Sequence, residues 1–84
     1  MLSLLHQDVA RVIGKARDQV KSLTGSSGSL YLALTSIGKR LLTEDPAPPP
    51  VAQFAPEIEG LVALCTGKLA AIKPLLEEAL RLTR

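Results

Sequence analysis

Apolar residues in the first third of the chain recur with a helical period. Wound at about 100° per residue, Leu2, Leu5, Val9, Val12, Ile13, Ala16, Val20 and Leu23 fall within an arc of about 100°. That single stripe predicts an amphipathic helix over about 3–24, with Ser3 as its N-cap and Gly25 just past its end. Asp8, Arg11, Lys15, Arg17, Asp18 and Lys21 occupy the outer side, where Asp8/Arg11 and Asp18/Lys21 are spaced for i,i+3 pairing. The breaker-rich link Gly25-Ser26-Ser27-Gly28 then predicts a helical hairpin. A second helix over about 29–43 carries its main stripe on Leu30, Ala33, Leu34, Ile37 and Leu41. A flanking stripe follows Tyr31, Thr35, Gly38 and Leu42 at spacings of four, three and four. Lys39 and Arg40 lie in the last turns, where cations complement the helix dipole.

The segment 44–55 holds the run Pro46-Ala47-Pro48-Pro49-Pro50 and is predicted as a connection in semi-rigid polyproline II form. It suits a strut that carries the chain between bundle ends better than a ligand for an aromatic groove, because few residues flank it before helical pattern resumes. The last helix is predicted over about 56–83, with Pro56 in its first turn and a kink near Pro74. A continuous rod is expected because Ile58, Cys65, Ile72 and Ala79 keep a spacing of seven through Pro74. The fold class that results is all-α: an up-down-up three-helix bundle in one domain, 1–84.

That last helix is unusual in having little polar surface. Its inward stripe is Ile58, Leu61, Val62, Cys65, Leu69, Ile72, Leu76, Ala79 and Leu80, already wide enough for a bundle. The opposite side, where charges belong, reads Gly60, Leu64, Gly67, Ala71, Pro74, Leu75, Glu78 and Leu82, while most charges crowd into a narrow strip of Glu59, Lys73, Glu77 and Arg81. Leu64, Ala71, Leu75 and Leu82 form a second seam at spacings of seven, four and seven. Gly60 and Gly67 each cost a helix about 1 kcal/mol relative to alanine, which points to close backbone approach. The candidate partner-binding residues are therefore Gly60, Leu64, Gly67, Ala71, Leu75 and Leu82, extended by Tyr31, Gly38 and Leu42 on the second helix. The competing explanation is that each helix of a three-helix bundle touches two others and needs a wide stripe.

Size strengthens this expectation. An 84-residue chain buries only about 60–65% of its unfolded surface, and one cysteine rules out a disulfide within the chain. His6 is the only histidine and Cys65 its only soft companion, so a structural metal is not expected. Association is the remaining source of stability. The lone cysteine, the lack of an export-type leader and the lack of an apolar run near 20 residues favour a reducing, cytoplasmic setting.

Chemistry is sparse. His6 sits in a first turn beside Asp8, unlike an exposed mid-helix phosphotransfer histidine, and Cys65 falls on the inward stripe as a small hydrophobe. Glu77 and Glu78 are about 100° apart and cannot face one substrate. The Gly25–Gly28 link lacks the Lys-Ser/Thr of a phosphate loop. The chain is therefore expected to be no enzyme and to take no cofactor and no small-molecule substrate. The expected role is a non-enzymatic protein–protein interaction module, a small subunit or adaptor that binds a partner helix through the outer face of the third helix, or a homodimer formed there. The alternative is a basic surface on the first two helices, built from Arg11, Lys15, Lys21, Lys39 and Arg40, that binds nucleic acid or acidic membrane. The absence of aromatic stacking platforms weighs against single-stranded nucleic acid.

Overall fold

A computed structural model describes residues 2–84. Within them the chain is helical without strands, and four α-helices pack together: α1 Leu4–Thr24, α2 Ser29–Leu42, α3 Ala55–Val62 and α4 Lys73–Leu82. Short 3-10 turns precede α3 (Val51–Phe54) and α4 (Gly67–Ile72).

The hairpin of α1 and α2 follows from local sequence. Ser3 caps α1, its Oγ accepting from the backbone N–H of His6 at 3.0 Å. Gly25 ends the helix at φ +87°, a conformation open to glycine, while its N–H donates to the Lys21 carbonyl at 2.9 Å. Val9, Val12, Ile13, Ala16 and Val20 of α1 are buried against Leu30, Leu34, Ile37 and Leu41 of α2. The ends of the α1 stripe, Leu5 and Leu23, stay largely exposed.

The proline-rich connection crosses from the end of α2 to the start of α1. His6 holds it there. Its Nε2–H donates to the Pro49 carbonyl at 2.8 Å, while Nδ1 receives the Ser3 hydroxyl at 2.5 Å. A carbonyl only accepts, which fixes the proton on Nε2. The lone histidine is thus a fastener for the strut. The connection is also shorter than expected: Val51 and Phe54 are buried, and Phe54 is among the largest fully buried side chains. Arg40 of α2 lies 5.5 Å above the Phe54 ring and pairs with Glu57 of α3, so this cation belongs to the packing between elements.

The C-terminal segment departs most from expectation. A single kinked rod over 56–83 is not what forms. The chain leaves α3 after Val62, Thr66 is extended at φ −127° and ψ 164°, and Gly67 takes φ +57°. These angles turn the chain, and α4 runs back along α3, so that Arg84 at its far end meets Glu59 at 2.6 Å. Pro74 kinks nothing. It lies in the first turn of α4, where a missing N–H leaves no intrahelical bond unmade. The expected inward stripe is nonetheless inside: Ile58, Leu61, Cys65, Ile72, Leu76 and Ala79 are buried, and Val62, Leu69 and Leu80 are packed against them. Each short piece keeps its own apolar side toward the core, so the periodicity survives the break.

Doubling back also accounts for much of the surplus apolar circumference. Leu75 and Leu82, assigned to an outer seam, pack partly buried against the core. Two short helices side by side can use flanks that one long rod leaves outside. The Cα envelope measures 37 × 23 × 16 Å, and its thin dimension fits two layers of helices.

Candidate interaction surface

The nine residues expected to form one partner-binding face are distributed over the molecule. Gly60 is exposed in a shallow notch between Ala52, Pro56 and Arg84. Gly67 and Ala71 lie exposed on the turn before α4. Gly67 is explained by its positive φ rather than by close approach, since a Cβ there meets nothing within 4 Å. Leu75 and Leu82 are turned inward. Leu64 remains 46% exposed and lines, with Tyr31, Leu30, Val20 and Leu69, a notch beside the α1–α2 link. These positions no longer share a helix face because Gly67 rotates the chain between them.

Gly38 and Leu42 come together elsewhere. The flanking stripe of α2 forms one bank of an open groove between α1 and α2, with a volume of about 480 Å³. Its floor is Ala10, Ile13 and Leu34, flanked by Gly14 of α1 and Gly38 of α2. Arg17 stands on the α1 bank, and Lys39, Leu42 and Thr43 stand on the α2 bank. No carboxylate lines it. Leu42 is 51% exposed and Leu32, farther round α2, is 56% exposed. A Cβ on Gly14 meets nothing within 4 Å, and one on Gly38 first meets Ile13 Cγ2 at 4.0 Å. The hairpin itself therefore needs glycine at neither position. Sequence periodicity located the α2 bank but missed the α1 bank. Gly14, a glycine inside a helix and on the flank of the α1 stripe, was the available signal.

Charge is segregated between the two halves. Residues 1–43 contain six Lys/Arg against two Asp/Glu, a net of +4, whereas 44–84 contain four against six, a net of −2. Several hairpin cations are occupied: Arg11 by Asp8, Arg17 by its neighbour Asp18, and Arg40 by Glu57. Lys15, Lys21 and Lys39 take part in none of the ion pairs among the described residues.

Cys65 is buried and its thiol donates to the Leu61 carbonyl at 3.6 Å. Burial pushes its pKa up, with the Lys73 charge pulling it down and Glu77 adding to the rise. A thiol in that state is a poor nucleophile at neutral pH. Among the described residues, no three His, Cys, Asp or Glu side chains converge as a metal-binding group. Among the described residues, no helix is long and apolar enough to cross a membrane. No protein-family model, curated protein or solved structure matches the chain.

Proposed function

We propose that this chain is a non-enzymatic protein-interaction module, a small helical subunit or adaptor whose partner is another protein chain. The observation that carries the reading is the open α1–α2 groove: an apolar floor, glycines on both sides that the fold does not require, and an exposed leucine on its bank. Leu64 and Tyr31, in the notch beside the hairpin link, are a second apolar point on the same module. The outside of 56–83 offers no continuous seam, because that segment folds back on itself at Thr66-Gly67.

The competing basic-surface reading draws on the +4 charge of the hairpin. It is weakened by the pairing of Arg11, Arg17 and Arg40 with carboxylates of the same molecule. The two readings separate cleanly by experiment. A photo-crosslinking amino acid at position 42, compared with one at exposed Lys15, should give discrete protein adducts in cells from position 42 alone. Equal labelling from both positions, or none from either, overturns the reading. Adducts to nucleic acid or lipid, lost as salt is raised, establish the alternative.

A further inference from the structure

We infer that the α1–α2 groove accepts an acidic amphipathic helix of a partner protein, one that lays a seam of small and aliphatic residues along Gly14 and Gly38 and sets carboxylates against Lys39 and Lys21. The inference rests on the interaction-module reading and specifies the occupant.

Shape gives the first part. The glycines lower the banks of two neighbouring helices at one place, and the floor between them is Ala10, Ile13 and Leu34. Closely approaching helices meet across small residues, because only small side chains allow backbones to draw together. An extended strand is a poor match. Its main-chain N–H and C=O groups would face a floor formed by α-helices, whose own backbone groups are already bonded. A helix satisfies its main chain internally and presents only side chains.

Charge gives the second part. The groove is lined by Arg17, which is already paired with Asp18 at 3.2 Å, and by Lys39, with no carboxylate in its lining. Lys39 is free of intramolecular ion pairing, and Lys21 stands one turn beyond Arg17 on α1, also unpaired among the described residues. A partner with carboxylates on both flanks of its apolar seam meets these cations on both banks. Complementarity of this kind fixes the orientation of the partner and rejects a basic helix.

The same charges disfavour a second copy as the occupant. A two-fold contact through this face would bring the unpaired Lys39 and Lys21 of one copy onto the same basic face of the other. The acidic stretch of this chain, Glu77-Glu78 on α4, offers no substitute, because the apolar side of α4 is already committed to the core through Leu76 and Ala79.

The test uses the full chain, immobilised, and a phage-displayed library of helical peptides randomised at every surface position. Enriched peptides should carry a small or aliphatic seam flanked by Asp or Glu. Binding should be lost in the double variant Gly14→Leu with Gly38→Leu, whose helicity is checked by circular dichroism. Gly14→Ala serves as a milder second variant that fills the groove without strain and should weaken binding severalfold. Lys39→Glu should weaken binding by about tenfold. Exchanging the opposing peptide carboxylate for lysine should restore it. Enrichment without acidic bias, or binding indifferent to the glycine substitutions, overturns the inference while leaving crosslinking at position 42 intact. Sedimentation that shows a dimer abolished by filling the groove names a second copy instead and also overturns it. Failure of the wider reading is separately visible as no protein adduct at position 42.

Discussion

At the scale of single residues, two environments have consequences that can be measured. Cys65 is held neutral by burial, with its pKa raised in the folded state. Below the ordinary thiol pKa both folded and unfolded chains carry the proton, and the site is silent. Above about pH 9 the unfolded thiol ionises while the folded one stays protonated, so the unfolded state binds fewer protons and stability falls as pH rises. Urea unfolding from pH 8 to 10 should therefore show a downward slope that Cys65→Ala flattens. Gly60 and Gly67 supply the second environment, a contrast in backbone conformation. Gly67 sits at φ +57°, so Gly67→Ala should cost about 1–2 kcal/mol. Gly60 lies inside α3 with open space at its Cβ, so Gly60→Ala should stabilise by up to about 1 kcal/mol. Thermal melts of the two variants should shift in opposite directions. Both glycines carry the same spacing argument in the sequence, and only the backbone angle tells them apart.

At the scale of elements, the sequence was most readable where one apolar stripe coincided with strong end signals. Helices predicted over 3–24 and 29–43 form as Leu4–Thr24 and Ser29–Leu42, because Ser3, Gly25 and Gly28 punctuate the chain there. The C-terminal segment was readable in its faces and not in its continuity. A spacing of seven from Ile58 to Ala79 is satisfied equally by one rod and by two pieces that each turn the same residues inward. Pro74 drew attention as the breaker, yet proline is welcome in a first turn, and the turn is made at Thr66-Gly67 instead. Phe54 was hidden differently: a single aromatic beside a proline run has no period to reveal it, and it is buried in the apolar core with Arg40 of α2 over its ring. The candidate groove was half visible, through Gly38 and Leu42, since a sequence stripe marks one bank but not which helix supplies the other. The broken rod also divides two leucines that looked equivalent. Leu64→Glu, at an exposed position, should change stability by no more than about 0.5 kcal/mol. Leu75→Glu forces a charge toward the core and should cost about 2 kcal/mol or more. Chemical denaturation of the two variants measures the difference, and equal losses would contradict the folded-back arrangement.

At the scale of the whole molecule, a short chain has hidden much of its apolar surface by making four helices out of an expected three. The long α1 is the common neighbour, touching both α2 and α4, and the short α3 lies along α4. Ion pairs that join distant parts of the chain, Arg40–Glu57 and Arg84–Glu59, run between elements whose order in sequence gives no hint of contact. Both are partly solvent-exposed and contribute modestly, about 0.2–1 kcal/mol each. What they add is registry between α2 and α3 and between α3 and α4. Hydrogen exchange should accordingly find the slowest amides at the shared interface, in the middle of α1 around Ile13 and Ala16, and faster ones on the turn around Gly67.

The proline-rich crossing, fastened to the body through the His6–Pro49 hydrogen bond, has one more implication. A bridge that holds two oppositely charged halves in place is a natural point at which to cut the gene. Expressed as separate polypeptides severed between Thr43 and Glu44, the pieces carry net charges of +4 and −2 and should find each other in the test tube and rebuild a helical heterodimer, detected as a gain in ellipticity on mixing. Such a split pair would turn this small fold into a reporter of proximity, with reassembly speed that drops as ionic strength climbs.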